Sequence, residues 1–320
     1  MTKYEAFSAQ PSKELPQYPD DEIDLRELLA TLWRGKWVVI ATTILFAVAG
    51  VFYALSKPNI YQASVLLAPA QDEGGGRGIS GQLGGLASLA GISLGNGGDN
   101  QTVMAKEVLQ SYAFLRDFID RHELAFPLMA TEAWDMESER WVVNRQVFNP
   151  ETREWLTNEK GESLIPTDWD MVKKFRESHL SLSSNKETGM VTLSIKSQSP
   201  PAAAYWAGKM VHDINEYMRE QDVQEAEARI TYLEDKLSET NISGMQQVFY
   251  QLIESETRTV MLANAQDEYI FRTVDPAFVP QEKVGPKRAL IVALATTLGL
   301  MFATLILFIR LVLNTGKATQ

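Results

Sequence analysis

The stretch "DPAFVPQEKVGPKRALIVALATTLGLMFATLILFI", Asp275 to Ile309, joins a stiff polar segment to an oily one. Pro276, Pro280 and Pro286 come at near-even spacing, and Lys287 and Arg288 follow them. Proline fixes φ and donates no backbone hydrogen bond, so no helix runs through this spacing. The segment reads as a semi-rigid extended strut. Residues 289–309 then carry no charge. A helix of about 20 apolar residues spans the hydrocarbon core of a bilayer, so this run is read as a transmembrane helix.

A second uncharged run, residues 37–55, lies near the other end between Arg34 and Lys36 on one side and Lys57 on the other. The acidic, polar residues 1–36 in front of it are unlike the start of a signal peptide, so this helix is expected to be retained. Two spans place both termini on one side and residues 56–288 on the other. Arg26, Arg34 and Lys36 precede the first span and Lys57 alone follows it. The positive-inside rule therefore puts residues 1–36 and the tail 310–320 in the cytoplasm and the large domain outside.

The domain from Lys57 to Arg288 holds 23 Lys and Arg against 34 Asp and Glu, a net charge of −11. That balance argues against nucleic acid or another anionic polymer as a ligand. The chain has no cysteine, which excludes a thiol site and suits an exported bacterial domain without disulfides.

Within the domain, "IYQASVLLAP" (residues 60–69) alternates like a strand. Residues 74–98 contain 11 glycines, a composition that disfavours regular structure, although Leu83, Leu86, Leu89 and Ile92 allow a short helical turn. Residues 101–124 read as one helix with Val108, Tyr112, Leu115 and Ile119 on its apolar face. Between Phe126 and Asp170 lie Trp134, Trp141, Trp155 and Trp169. There the sequence predicts short hairpins with Asn-Pro and Lys-Gly turns. Two alternating strands follow, "HLSLSSN" and "MVTLSIKS", with a turn near residues 187–189.

Pro200 and Pro201 open a helix whose 3–4 spacing persists to about Ser238. "NISG" breaks it, and a shorter helix returns over residues 245–265. A closing strand over residues 267–277 leads into the proline segment. The order strand, helix, strand, strand, helix, strand is the split β-α-β, ferredoxin-like pattern. The fold class is α+β, with two transmembrane helices flanking a ferredoxin-like base that bears a long α-helical hairpin. The domains expected are the base over residues 56–199, the hairpin over 200–266 and the closing strand with strut over 267–288. The shorter returning helix should pair with the distal half of the long one and leave the proximal half to lie on the sheet. First and last strands side by side would send both spans from the same end of the base.

Catalytic signals are poor. "GISLG", residues 91–95, fits G-x-S-x-G around Ser93, but no strand precedes it. His122, His179 and His212 are far apart in sequence and read as surface or helix-face residues, which leaves no metal cluster visible. "NTGKAT" lacks the remainder of a phosphate-binding loop. No catalytic, cofactor or metal residue is assigned. The candidates are interaction residues instead. Trp134, Trp141, Trp155 and Trp169 are candidate saccharide or partner contacts. Gly50 and Ala54, with Ala295, Gly299 and Ala303, form small-residue stripes that let membrane helices approach closely. Pro276, Pro280, Pro286, Lys287 and Arg288 form the strut and membrane entry.

Four segments carry a family resemblance: "IDLRELLATLWRGKW" (23–37), "GGLASLAGISLG" (84–95), "DPAFVP" (275–280) and "GPKRAL" (285–290). They resemble the Wzz-type polysaccharide co-polymerases, the O-antigen chain-length determinants. The resemblance implies a protein of a Gram-negative inner membrane with its hairpin in the periplasm. It implies a ring-like homo-oligomer near eight subunits and control of the modal length of a polysaccharide, lipopolysaccharide O-antigen, made by a separate Wzy-type polymerase. Partners are then the lipid bilayer, the polymerase and the nascent polysaccharide, and the family offers no catalytic residue to carry over. The alternative reading is a capsule or exopolysaccharide polymerisation or export adaptor that works with a separate kinase; the short tail lacks the tyrosine-kinase domain of the capsule-export relatives, which weighs against that branch.

Overall fold

The computed structural model describes residues 33, 35–70 and 97–315. In chain order its elements are α1 (Lys36–Ser56), β1 (Ile60–Pro69), α2 (Gly97–Val108), α3 (Tyr112–Arg121), α4 (Ala125–Met129), β2 (Thr131–Asp135), β3 (Arg140–Val143), β4 (Phe148–Asn149) and β5 (Glu154–Trp155). Then follow α5 (Asp168–Lys174), β6 (Leu180–Ser184), β7 (Val191–Ser197), α6 (Pro200–Glu239), α7 (Ser243–Ala265), β8 (Phe271–Asp275), β9 (Lys283–Gly285) and α8 (Arg288–Thr315). Residues 74–96 of the glycine-rich segment, Ser93 among them, and the segment before Trp33 lie outside the described residues, while Gly97 and Gly98 begin α2. Two compact units result: the helices α1 and α8, and the intervening domain.

In that domain an antiparallel sheet runs β6-β7-β1-β8. The chain order of those four strands gives the split β-α-β topology read from the sequence. Alternation decides which face is buried. Tyr61, Ala63, Val65 and Leu67 of β1 join Val191, Leu193 and Ile195 of β7 in the core. The helices cover this face, chiefly the proximal part of α6, with Trp206, Met210, Ile214 and Met218 buried, and α3, with Phe114, Leu115, Phe118 and Ile119. Each fully buried large apolar side chain contributes about 1.5–3 kcal/mol, so this cluster holds the sheet and helices together.

The long helix begins where its prolines permit: the Ser199 side chain accepts from the Ala202 amide at 3.4 Å, the N-cap arrangement that orphan amides demand. Its 40 residues make it about 60 Å long. Beyond Met218 only Ala226 is fully buried, facing α7, where Ala263 is likewise buried. The proximal half thus lies on the sheet and the distal half pairs with the returning helix.

Two expectations are corrected. The single helix over residues 101–124 is two helices, because the Ser111 side chain accepts from the Phe114 amide at 3.3 Å and starts α3 afresh. Tyr112, the first residue of α3, is 40% exposed and does not share the core with Leu115 and Ile119. The second is a helix the sequence reading passed over. Thr167 caps α5 by accepting from the Asp170 amide, with Asp168 and Asp170 in its first turn and Lys173 and Lys174 in its last, the charge order a helix dipole favours. A π-turn, Phe175–His179, continues it.

The proline segment contains a strand. β9 pairs with the start of β1, Gly285 opposite Ile60 and Lys283 opposite Tyr61. The two ends of the domain are therefore register partners. Pro276 directly follows β8, Pro280 is buried, and the Gly285–Pro286 peptide is cis.

Candidate functional site

Among the described residues the chemistry-bearing groups fall into four places. The first is the helix pair α1 and α8, both long and apolar enough to cross a membrane. A Cβ on Gly50 would lie 2.6 Å from Ala295 Cβ, and one on Gly299 would lie 2.6 Å from Phe46 Cβ. Neither position has room for a side chain, so the absence of one lets the backbones close. Ala54 and Ala303 are buried as well, and Phe46 packs near Phe302 with ring centroids 5.9 Å apart. The small-residue stripes read from the sequence thus belong to a contact within one chain.

The second place is the hairpin. Phe249, Ile253 and Val260 are half-buried and Ala263 is buried, which marks the face of α7 turned to α6. Arg229 of α6 also meets Glu256 of α7 at 3.0 Å, and the hydrogen bond to that carboxylate raises the guanidinium pKa further above its ordinary value. A second stripe on α7, Met245, Val248, Leu252 and Leu262, is exposed. It recurs at helical spacing along the helix, an apolar face without cover in the single chain.

The third place is the joint between α6 and the base. Asn215, buried at 3% exposure, accepts from the Ile270 and Phe271 amides at 2.8 Å each and donates Nδ2–H to the Phe271 carbonyl at 3.0 Å. Its amide acts as a short stretch of strand at the start of β8. Nearby, Tyr269 donates its hydroxyl to Asp222 at 2.7 Å. A few residues earlier on α6, Asp213 accepts from His122 at 2.8 Å, the Asp213 side chain buried and that of His122 10% exposed. His122 thus points inward from the end of α3, where the sequence read a surface or helix-face residue. His212, Asp213 and Glu216 come together closely enough to hold a metal ion. Arg121 nevertheless reaches Asp213 at 3.8 Å and Glu216 at 3.5 Å, and Arg219 reaches Glu216 at 3.8 Å. The sequence showed no metal cluster, and the fold places these three ligands together with the two guanidinium groups against the same carboxylates. Sequence reasoning missed this joint, although Asp213 and Asn215 stand as polar interruptions in an apolar run.

His179 is also interior. It donates from Nδ1 to the Lys196 carbonyl at 2.7 Å and stacks on Phe175. Burial lowers its pKa, the hydrogen bond to Lys196 opposes that, and the charge of Lys174 adds to the lowering.

The fourth place is the tryptophan-rich region, whose four indoles do not form one surface. Trp134 and Trp141 face each other across β2 and β3, with edge-to-face rings at 5.0 Å. Trp155 packs on Phe148 across β4 and β5 at 5.3 Å. These three are half-buried cross-strand pairs that stabilise small hairpins. Trp169 instead sits on α5, 60% exposed, beside Tyr112.

Comparison with known families bears directly on this arrangement. The chain length determinant protein family, Wzz, matches residues 21–122. That match covers about a third of the chain, from the segment before α1 through α3. A second family, described as "G-rich domain on putative tyrosine kinase" (GNVR), matches residues 239–312, from the end of α6 through α7 and the proline segment into α8. No curated protein matches the sequence. Among solved structures, a full-length bacterial polysaccharide co-polymerase aligns at 15% identity over 91% of this chain and 99% of its own, with a TM-score of 0.37. A fragment of WzzB, a polysaccharide co-polymerase from Salmonella Typhimurium, aligns at 11% identity over 71% of this chain and 100% of its own, with a TM-score of 0.27.

Proposed function

We propose that this Wzz-type chain is a non-catalytic inner-membrane scaffold that regulates the modal length of a surface polysaccharide, lipopolysaccharide O-antigen, made by a separate Wzy-type polymerase. Both termini lie in the cytoplasm and the large domain in the periplasm. The observation that carries the reading is the pairing of Gly285 with Ile60. It brings the two ends of one folded domain together, each within a few residues of a membrane-length helix. Such a domain is tied at both ends to membrane-length helices and includes a 40-residue helix.

Copies of the chain are the simplest cover for the exposed stripe of α7. A shared axis normal to the membrane lets them close into a ring of about eight, the number the family resemblance implies. In this proposal the prolines and β9 hold the base to the second span, and Lys287 and Arg288 sit at the lipid headgroups. The test is deletion of the gene followed by display of the surface polysaccharide by size. Loss of the modal band with polymer still made is the expected result, and an unchanged size distribution rejects the reading.

The match to the tyrosine-kinase-associated family favours a second reading, an adaptor for capsule or exopolysaccharide polymerisation and export with a separate kinase. On that reading deletion abolishes export of a different polymer and leaves the O-antigen bands intact.

A further inference from the structure

We propose that Tyr112 and Trp169 form a stacking shelf for a neutral sugar ring of the polysaccharide, an inference that rests on the function proposed above. Trp169 is 60% exposed, whereas the other tryptophans of the Ser56–Lys287 domain are half-buried or buried. An indole left in water forgoes the burial its large apolar surface would otherwise gain. Tyr112, itself 40% exposed, stands beside it, with ring centroids 6.0 Å apart and planes tilted by only 32°. Both rings stand at helix starts: Ser111 caps α3 directly before Tyr112, and Thr167 caps α5 two residues before Trp169.

Polar groups flank the rings. Arg116, one turn along α3 from Tyr112, meets Asp168, the residue before Trp169, at 2.6 Å. Asp120 lies 3.9 Å from the same guanidinium. The pair is about half-exposed, so the guanidinium keeps donors and the carboxylate keeps acceptors for further partners. Aromatic faces for the C–H side of a pyranose, with a planar donor and acceptor beside them for its hydroxyls, are the chemistry that recognises a sugar. The domain's net charge of −11 selects against an acidic one. A bare apolar contact with a second copy would have no use for the ion pair at the rim.

The test uses the full chain in detergent, labelled with 5-fluorotryptophan, with the Trp169 signal assigned from Trp169→Phe. The probe is the source cell's own surface polysaccharide freed of its lipid, with neutral dextran and dextran sulfate as charge comparisons. The expected result is a shift of the Trp169 signal on adding the polysaccharide while the signals of Trp134, Trp141 and Trp155 stay in place. Dextran sulfate should give no shift. Trp169→Ala and Tyr112→Ala should each weaken binding about tenfold, the scale of one aromatic contact, and leave thermal unfolding unchanged because both rings are exposed. Equal binding by Trp169→Ala overturns the shelf, as does a Trp169 signal indifferent to polysaccharide. A signal that moves on dilution of the protein alone assigns the rings to a contact between copies and also overturns it. In each of these cases the length-control reading stands if gene deletion still removes the modal band, and only an unchanged band in the deletion strain brings that reading down.

Discussion

The two halves of α6 are one continuous helix in two different situations. From Pro200 to Met218 it buries Trp206, Ala207, Met210, Val211 and Ile214 against the sheet and α3. From Arg219 to Glu239 only Ala226 is fully buried, and Tyr232 stands 62% exposed. The same backbone is thus held by a core at one end and by a single neighbouring helix at the other. Local stability should follow that gradient. A helix pair with one narrow seam keeps a second face free, and that face is the part of the molecule suited to assembly.

The sharpest way to break this comparison is to cut equal holes in both halves. Met210→Ala, at a fully buried position, should cost about 2–5 kcal/mol, and Ile253→Ala in the half-buried hairpin seam about 1–2 kcal/mol. Urea unfolding of the solubilised chain, followed by tryptophan fluorescence, measures both, and equal losses would mean that the distal hairpin is packed as firmly as the base. The boundary between the halves is the next target. Asn215→Ala leaves the Ile270 and Phe271 amides buried without their acceptor, at a cost of about 2–3 kcal/mol. Hydrogen exchange should then speed up at the start of β8 and stay slow in β7. Uniform acceleration would show that the joint is not a local one.

The smallest effect expected is a pH dependence confined to the base. The folded pKa of His179 lies below its ordinary value near 6.5, chiefly because the ring is buried. The unfolded chain therefore binds the proton more readily, and stability rises with pH across the window between the lowered value and about 6.5. As pH falls from 7.5 to 5.5, the wild-type chain should lose a little more stability than His179→Gln, which removes the titrating group. A difference between the two that stays flat with pH would take His179 out of the account.

Much of this was legible beforehand because it depends on local pattern. Period-2 alternation marked β1, β6 and β7, the proline pair marked the start of α6, and the uncharged runs marked both membrane-length helices. The Asn-Pro and Lys-Gly turns of the small hairpins are where the sequence placed them, in the connection between β4 and β5 and at Gly161, whose φ is +79°. The order of elements implied the split β-α-β sheet. Those readings need only neighbours within a turn or an alternation.

Other features required the folded chain. Whether a serine caps a new helix or rides inside an old one turns on its own backbone angles, and at Ser111 extended angles divide one expected helix into two. The three histidines, separated by at least 33 positions, gave no hint that His122 meets Asp213 or that His179 meets Lys196, because both contacts cross between elements. The four tryptophans looked alike in sequence, but cross-strand pairing half-buries three of them, while Trp169 stands exposed on a helix. Composition and periodicity determined most of the strands, the long hairpin, the two membrane-length helices and that the domain is acidic. The pairing of β9 with β1, the clasp of Asn215 on β8 and the closeness of Tyr112 to Trp169 were decided by tertiary structure. Each joins residues whose separation along the chain carries no energetic trace until the core has formed.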